Sequence, residues 1–249
     1  MIHRFHRVAS TTVLLIAMMA TQPCTAQNTP LPPTPDPKAC SSEQRLQLPN
    51  GAAPQSPNTP NQTLSEKLER GAIQVFCIDS VDGESWYNQG VHPGARIWRH
   101  VQYERYVINE FLPYLKWRNW APQITLTGCS FGGYHALNFS TKHPEMVTAC
   151  VTMSGSFDIK SFLDGYYDDN CYFNNPPDYL PNMTDEWQLN RLRHIKIVLG
   201  TADWDMCLDA NLKMAGILQG KRIPHWLDIF GDNSKHDWPL WQRMAGKYF

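Results

Sequence analysis

Residues 123–139 read QITLTGCSFGGYHALNF, and this stretch decides the fold. Its first part is short, β-branched and apolar, as a buried strand would be, and the part after Ser130 can wind as a helix. Between the two, a G-x-S-x-G motif places the serine on a tight, strained turn, where the flanking Gly128 and Gly132 remove side chains that would clash. This context predicts a nucleophilic Ser130 near a helix N-terminus, which favours developing negative charge. An ordinary glycine-rich turn is the alternative interpretation.

Strands and helices alternate on both sides of this turn. The strands are apolar throughout rather than on one face, which is typical of a mostly parallel sheet covered by helices on both faces. The sequence therefore predicts an α/β fold, with binding sites beyond the carboxyl ends of the strands. We expect strands at 72–78, 123–127, 147–153, 195–199 and 226–230, and helices at 63–71, 94–111, 131–143, 186–192, 207–218 and from 239 onwards. A loop-rich insertion is expected over 166–183.

The first 26 residues have the pattern of an export signal. Arg4 and Arg7 give a positive start, residues 13–20 are apolar, and Cys24-Thr25-Ala26 offers a small-x-small cleavage site. The apolar run is too short to span a bilayer, so no stable membrane insertion is expected after cleavage. Residues 27–62 are rich in proline and polar residues, which predicts a loose tail or linker. We therefore expect a secreted or periplasmic protein whose ordered domain covers residues 63–249.

Charge and cysteine usage limit the kinds of partner. The formal net charge is −1 and no basic run is present, so the sequence gives no reason to expect nucleic acid as a partner. Cleavage of the signal would leave six cysteines, of which Cys171 and Cys207 are the best candidates for a disulfide because both lie near the expected rim of the site. No C-x-x-C spacing or histidine cluster of the metal-ligand type is present, so neither a metal nor a cofactor is predicted.

A nucleophilic serine needs a base to accept its proton and a carboxylate to orient that base. In α/β-hydrolases the chain order is nucleophile, acid and base, each in a loop after a strand. His236 directly follows the last expected strand and is the expected base, whereas His225 enters that strand at its amino end. The acid should follow the strand 195–199, where Asp203 is favoured because it lies three residues past Gly200 and can turn back to the sheet edge. Asp205 is the alternative acid, although an aspartate there could instead cap the next helix.

The sequence resembles the α/β-hydrolase "putative esterase" family, which includes S-formylglutathione hydrolases, feruloyl esterases, polyhydroxyalkanoate depolymerase-like esterases and mycolyltransferases. The resemblance spans about residues 63–249. It is carried by the segments 127–136, 77–80, 84–88, 99–104, 167–170, 200–203 and 236–239. Transferred to the matching positions, it implies Ser130 as nucleophile, Asp203 as acid and His236 as base.

The resemblance also shows where this chain departs from the family. Family members have further strands before the segment that matches 72–78, so the N-terminal strands of this sheet are expected to be reduced. The last of those strands leads into a glycine-containing loop that donates one of the two oxyanion N–H groups, and Pro49-Asn50-Gly51 is the candidate remnant of that loop. The other donor is expected to be the backbone N–H of Phe131, directly after the nucleophile.

The leading hypothesis is therefore an exported serine esterase that hydrolyses a small or polymeric carboxylic ester through an acyl-enzyme. One alternative is acyl transfer to an acceptor other than water, as in the mycolyltransferases. The other is a binding protein with an impaired hydrolase fold, which the reduced sheet would explain.

Overall fold

The computed structural model describes residues 13–19, 64–119 and 123–249. Six strands form one sheet: β1 (Val13–Met19), β2 (Ile73–Asp79), β3 (Gln123–Cys129), β4 (Ala149–Met153), β5 (Lys196–Ala202) and β6 (His225–Phe230). Nine α-helices accompany it in these residues: α1 (Leu64–Glu69), α2 (Pro93–Tyr106), α3 (Leu112–Arg118), α4 (Phe131–Lys142), α5 (Asp169–Tyr172), α6 (Pro176–Asn182), α7 (Glu186–Leu192), α8 (Leu208–Gly220) and α9 (Trp238–Tyr248).

The sheet is parallel at every described pairing, with strand order β2-β1-β3-β4-β5-β6. Its main core is apolar and joins buried side chains of α2, α3, α4, α7 and α8 to those of the strands. The predicted α/β architecture is thus confirmed. Because all strands run the same way, their carboxyl ends meet at one edge of the sheet, and the loops that follow β3, β4, β5 and β6 lie side by side there.

Strand β1 comes from the segment that the sequence analysis assigned to the apolar part of an export signal. In the structure it lies between β2 and β3 and pairs with both, with Ala17 opposite Cys77 on one side and Thr127 on the other. Removal of residues 1–26 would take this strand out of the sheet. Export remains a prediction, and the proposed cleavage site at Ala26 lies outside the described residues, as do the expected tail at 27–62 and the Pro49-Asn50-Gly51 segment.

Helix boundaries follow the expectations closely, with one clear difference. The helix expected to end at Phe111 continues to Arg118 through a π-helical turn, Val107–Phe111. Pro113 has no N–H with which to continue the α-helical ladder, and the N–H of Leu112 instead bonds the carbonyl of Val107, five residues back. The insertion expected to be loop-rich contains the short helices α5 and α6.

Helix α4 is the central helix of the structure, since every residue from Phe131 to Thr141 is buried. Its first turn packs closely on the chain that leaves β4. A Cβ atom added at Gly133 would lie 2.9 Å from the Cα of Gly155, a distance that real Cβ atoms do not tolerate. Glycine at position 133 therefore allows the helix to pack directly against the chain that leaves β4.

Two further observations concern the chain as a whole. Its internal contacts divide it into one unit that joins residues 1–22 to 62–249, and a second unit, 23–61, whose structure lies outside the described residues. Within the described ranges, no helix combines the length and the apolar character needed to cross a membrane.

Candidate active site

Ser130 occupies the sharp turn between β3 and α4. Its backbone angles, φ 53° and ψ −121°, fall in a region that side-chain-bearing residues rarely adopt. Backbone hydrogen bonds hold the turn in place: the N–H of Ser130 donates to the carbonyl of Met153 at 2.8 Å, and its own carbonyl accepts from Gly133 at 3.0 Å and Ser156 at 3.2 Å. The predicted strained turn is therefore present, and the structure around it compensates for the strain.

His236 lies in the loop between β6 and α9 and reaches the serine. Its Nε2 is 2.8 Å from the Oγ of Ser130, although the two residues are 106 positions apart in the sequence. Its Nδ1 is 2.8 Å from Oδ1 of Asp205. The ring of Trp241 packs edge-on against the imidazole, with ring centroids 5.1 Å apart. The histidine side chain is 15% exposed, so a small part of it is reachable from solvent.

The carboxylate that contacts His236 is that of Asp205, the alternative acid, and not that of Asp203, which the sequence analysis favoured. Strand β5 extends to Ala202, three residues beyond the predicted end at Leu199. Asp203 therefore still follows the sheet: its N–H bonds the carbonyl of Phe230 at 3.0 Å, and its Oδ2 accepts from the N–H of Asn233 at 3.4 Å. The chain turns only after Asp203, and that turn brings Asp205 to the histidine.

Asp205 is held by several donors in a buried setting. Besides His236, its carboxylate accepts from the Thr201 hydroxyl at 3.2 Å and from the N–H of Cys207 at 2.9 Å. Burial opposes ionisation, but hydrogen bonds from His236, Ser154 and the Cys207 N–H outweigh it and keep the pKa of Asp205 below its usual value. The aspartate is thus an anion at neutral pH, aimed at Nδ1 of the histidine.

These contacts form a continuous chain from Asp205 through His236 to Ser130. With a hydrogen bond from Nδ1 to the carboxylate, the neutral imidazole carries its proton on Nδ1 and presents a free lone pair on Nε2 to the serine hydroxyl. Such an arrangement can remove the hydroxyl proton as the oxygen attacks an electrophile, while the carboxylate stabilises the imidazolium that forms.

Phe131, the expected oxyanion donor, is the first residue of α4. Its N–H is among those that an α-helix leaves without an acceptor inside the helix, and it directly follows Ser130. The second expected donor segment, Pro49-Asn50-Gly51, lies outside the described residues.

A second polar cluster, which sequence reasoning missed, lies behind the nucleophile helix. His135 of α4 contacts the fully buried carboxylate of Asp82 at 3.0 Å. Burial raises the pKa of Asp82, and the contacts with His135 and Ser80 outweigh that effect and lower it. The sequence signal was weak because Asp82 follows its strand by three residues and its partner is 53 positions away. Burial beside His135 also lowers the pKa of His100 to about 3.

Next to this cluster is a small cavity of about 10 Å³, which is room for one water molecule. Nδ1 of His100 and the hydroxyl of Tyr103 are buried without a protein partner, and both residues line the cavity. A water molecule there would satisfy these two groups, so this part of the structure is a support for α4 rather than a substrate site.

Exposed apolar residues flank the site residues Asp205 and His236 in the sequence. Trp204 and Met206, on either side of Asp205, are 61% and 82% exposed, and Trp238, two residues after His236, is 57% exposed. Large exposed apolar groups that cluster in the sequence around the site residues are typical of a binding surface.

The expected disulfide between Cys171 and Cys207 is absent. Both cysteines are buried, and both thiols are free. The other described cysteines are also free: Cys150 is buried, Cys129 is half-buried and Cys77 is exposed. Cys171 belongs to the cluster of Trp86 and Tyr134, whereas Cys207 precedes α8, so the chain places the two thiols in different surroundings.

Comparison with known proteins agrees with the geometry. Residues 61–243 match the model of a family described as "Putative esterase". An S-formylglutathione hydrolase from Agrobacterium tumefaciens aligns with a TM-score of 0.58 at 13% identity, over 94% of this chain and 81% of that one. The S-formylglutathione hydrolase of Staphylococcus aureus gives 0.51 at 13% identity, over 95% and 78%.

A ferulic acid esterase aligns over 58% of this chain and 58% of its own length, less than two thirds, with 23% identity and a TM-score of 0.49. At these identities the two hydrolase structures show a shared fold and nothing finer. No curated protein matches the sequence.

Proposed function

The chain belongs to the "Putative esterase" family of α/β-hydrolases, and from that premise we propose that it is an exported enzyme that hydrolyses carboxylic esters with Ser130, His236 and Asp205 as its catalytic residues. The observation that carries the proposal is the pair of 2.8 Å contacts that link Ser130 to His236 and His236 to Asp205. These three groups are the parts that serine-dependent acyl transfer needs, in the order in which it needs them.

The proposed reaction runs in two halves. Ser130 Oγ attacks the ester carbonyl carbon while Nε2 of His236 takes the hydroxyl proton, and the carbonyl oxygen becomes an oxyanion near the N–H of Phe131. The intermediate collapses, the bond to the alcohol oxygen breaks, and His236 gives its proton to that oxygen. Water then attacks the acyl-enzyme, loses its proton to His236, and releases the acid with the proton returned to Ser130.

Asp205 supports both halves through the histidine. It fixes the tautomer with the proton on Nδ1, and its charge stabilises the imidazolium at each intermediate. The low pKa of Asp205 keeps that charge in place at neutral pH.

The surface around the site favours an ester with an apolar portion. Trp204, Met206 and Trp238 offer exposed apolar area next to the acid and the base. Because burial of apolar surface contributes about 25 cal/mol per Å², such an area gains affinity from aromatic or aliphatic groups of a small or polymeric substrate.

A series of p-nitrophenyl esters of increasing acyl length tests the proposal. Wild type is expected to hydrolyse at least one member and to react with a fluorophosphonate at Ser130, whereas Ser130→Ala is expected to lose activity by ~10⁴-fold or more. Ser156→Ala is the matched control, since Ser156 contributes only a backbone N–H to this turn. If Ser130→Ala is folded by circular dichroism and hydrolyses the esters as fast as wild type, the proposal fails.

Export is the part of the proposal that the sequence pattern alone supports. The same apolar residues form β1 between β2 and β3, so signal cleavage and retention of that strand exclude each other. N-terminal sequencing of the protein recovered outside the cytoplasm tests the point. A mature chain that starts after Ala26 is expected, and a protein that keeps residues 13–19 and stays inside the cell would contradict export.

A further inference from the structure

Cys207 lies beside His236, the proposed base, and Asp205, the carboxylate that orients it. Its side chain stands two residues after Asp205, at the start of α8, and is 9% exposed. A carboxylate oxygen of Asp205, the sulfur of Cys207 and a ring nitrogen of His236 all lie within 4.8 Å of one another. The described residues contain no other such group of three histidine, cysteine or acidic side chains. Residue spacing does not reveal this group, because its members come from two loops that are separated by α8 and β6.

We propose that Cys207, Asp205 and His236 form a regulatory site for a zinc ion, and that zinc bound there switches the enzyme off. Thiolate sulfur, imidazole nitrogen and carboxylate oxygen are the three donor types that zinc takes in proteins. Bond lengths of about 2.0 to 2.3 Å require the three side chains to close in by roughly 1 Å, which rotation of the Cys207 side chain and a small movement of the His236 loop supply. A water molecule completes a tetrahedral shell.

The proton balance explains why this ion would inhibit. The ring nitrogen that faces Asp205 is Nδ1, and its lone pair becomes available to zinc only when the single proton of the neutral imidazole moves to Nε2. Nε2 then carries a hydrogen and cannot accept the proton of the Ser130 hydroxyl. Zinc also displaces the thiol proton of Cys207, so one proton leaves the protein for each ion bound.

The surroundings of Cys207 separate this thiol from an ordinary buried cysteine. Without metal the buried thiol leaves the 2.8 Å contact between His236 and Asp205 in place. The charge of a divalent cation would compensate both the thiolate and the carboxylate. Cys207 therefore does not affect the reaction unless a metal ion is bound.

The experiment uses the full chain, with zinc and cobalt as probes. Zinc affinity is measured by competition with a chromophoric chelator, and cobalt binding by the thiolate-to-metal charge-transfer band in the near ultraviolet. Each is compared among wild type, Cys207→Ser and Cys77→Ser. Cys77 is the exposed cysteine of the described chain and lies outside the cluster, so Cys77→Ser is the matched control.

Wild type and Cys77→Ser are expected to bind one zinc ion through a thiolate, and Cys207→Ser to lose the cobalt band and to bind zinc about 100-fold more weakly or not at all. Fluorophosphonate labelling of Ser130 should slow when zinc is added to wild type and should be unaffected in Cys207→Ser. Zinc binding that does not depend on Cys207, or a cobalt complex without a thiolate band, would overturn the site.

The proposed inhibition rests on the proposed esterase function, whereas the metal site does not. Failure of the esterase proposal can therefore be distinguished from failure of the metal-site proposal. Cys207-dependent zinc binding in a protein without Ser130 labelling or ester turnover would keep the metal site and reject the esterase. Ester turnover with zinc binding independent of Cys207 would keep the esterase and reject the metal site.

Discussion

Trp241 donates its indole N–H to the hydroxyl of Ser154, 2.9 Å away, and both groups are buried. Ser154 in turn helps to lower the pKa of Asp205, while the ring of Trp241 packs edge-on against His236. One tryptophan thus contacts the base through its ring and the neighbourhood of the acid through the Ser154 hydroxyl. Trp241 comes from α9, so the helix that follows the histidine also fixes the position of that histidine.

Trp241→Phe is expected to reduce kcat about 10-fold with little change in KM. The phenyl ring keeps contact with His236, but the Ser154 hydroxyl loses its donor and is free to turn away from Asp205. If the loss acts through Asp205, the acid limb of the kcat profile moves to higher pH. Trp117→Phe is the matched control, since the Trp117 ring is exposed on α3, which precedes the amino end of β3 and not the edge that carries the site. Equal kinetics in wild type and Trp241→Phe would show that the indole N–H has no positioning role.

Asp205→Asn is expected to lower kcat by ~10⁴-fold, because the amide favours the wrong tautomer of His236 and no longer stabilises the imidazolium. Asp203→Asn, two residues away, is expected to change kcat by less than about 10-fold, since Asp203 contacts a backbone N–H in the loop after β6 and not the histidine ring. Steady-state kinetics on both variants decides between the two aspartates. The opposite ranking would restore Asp203 as the acid.

The difference between these two aspartates shows what the sequence could and could not supply. The meeting of Ser130 and His236 at one edge of the sheet was predictable, because each directly follows a strand whose apolar pattern ends sharply. The acid was not, because Gly200, Thr201 and Ala202 look like a strand exit but continue β5 in register with β6. Whether an aspartate contacts the histidine depends on the residue at which the chain turns, and tertiary hydrogen bonds set that residue.

The parallel sheet was equally predictable, and two other features were not. The assignment of residues 13–19 to an export signal left no expectation of β1, since a short apolar run fits a leader and a buried strand alike. The Asp82–His135 pair depends on the packing of α4 against the loop after β2, a long-range contact without a sequence period.

Gly133→Ala is expected to destabilise the protein by roughly 1 to 3 kcal/mol, because its new Cβ would meet the backbone of Gly155 and neither side has a flexible group that can yield. Gly216→Ala, in the interior of α8 with open space around it, is the matched control and is expected to stabilise by about 0.5 to 1 kcal/mol. Urea unfolding of the two variants measures both free energies. Equal free energies of unfolding for Gly133→Ala and Gly216→Ala would contradict the close packing of α4 against Gly155.

His135→Gln is expected to reduce the free energy of unfolding by roughly 3 to 5 kcal/mol, because it leaves the buried charge of Asp82 without its partner. The double variant Asp82→Asn with His135→Gln removes that charge as well. It is expected to be more stable than the sum of the two single changes predicts, by about 0.5 to 3 kcal/mol. Additive effects in urea unfolding would show that the two side chains do not interact.

The free energy of unfolding should fall at acid pH as Glu104 becomes protonated. Burial opposes its ionisation, but hydrogen bonds and charge from His143 and Lys142 outweigh burial and lower its pKa from the usual 4.5 to about 2. Because the folded value is the lower one, the stabilisation is complete above about pH 4.5 and is lost as the pH falls towards 2.

Glu104→Gln should therefore be less stable than wild type at pH 7, by on the order of 3 kcal/mol, and approach it near pH 2. Glu84→Gln, which breaks an exposed pair with Arg99, is the matched control and should shift the curve little at any pH. Urea unfolding across this pH range gives both curves. A constant gap between Glu104→Gln and wild type from pH 7 to 2 would contradict the assignment.

Strand β6 is an end strand of the described sheet, and the loop that leaves it carries His236. End strands pair on one side only and open at lower temperature than the strands between them. Warming would therefore separate the histidine from the serine while the rest of the sheet still holds together. Activity should begin to fall below the melting temperature of the whole domain and should return on cooling. The opening of β6 would therefore set the temperature at which activity is first lost.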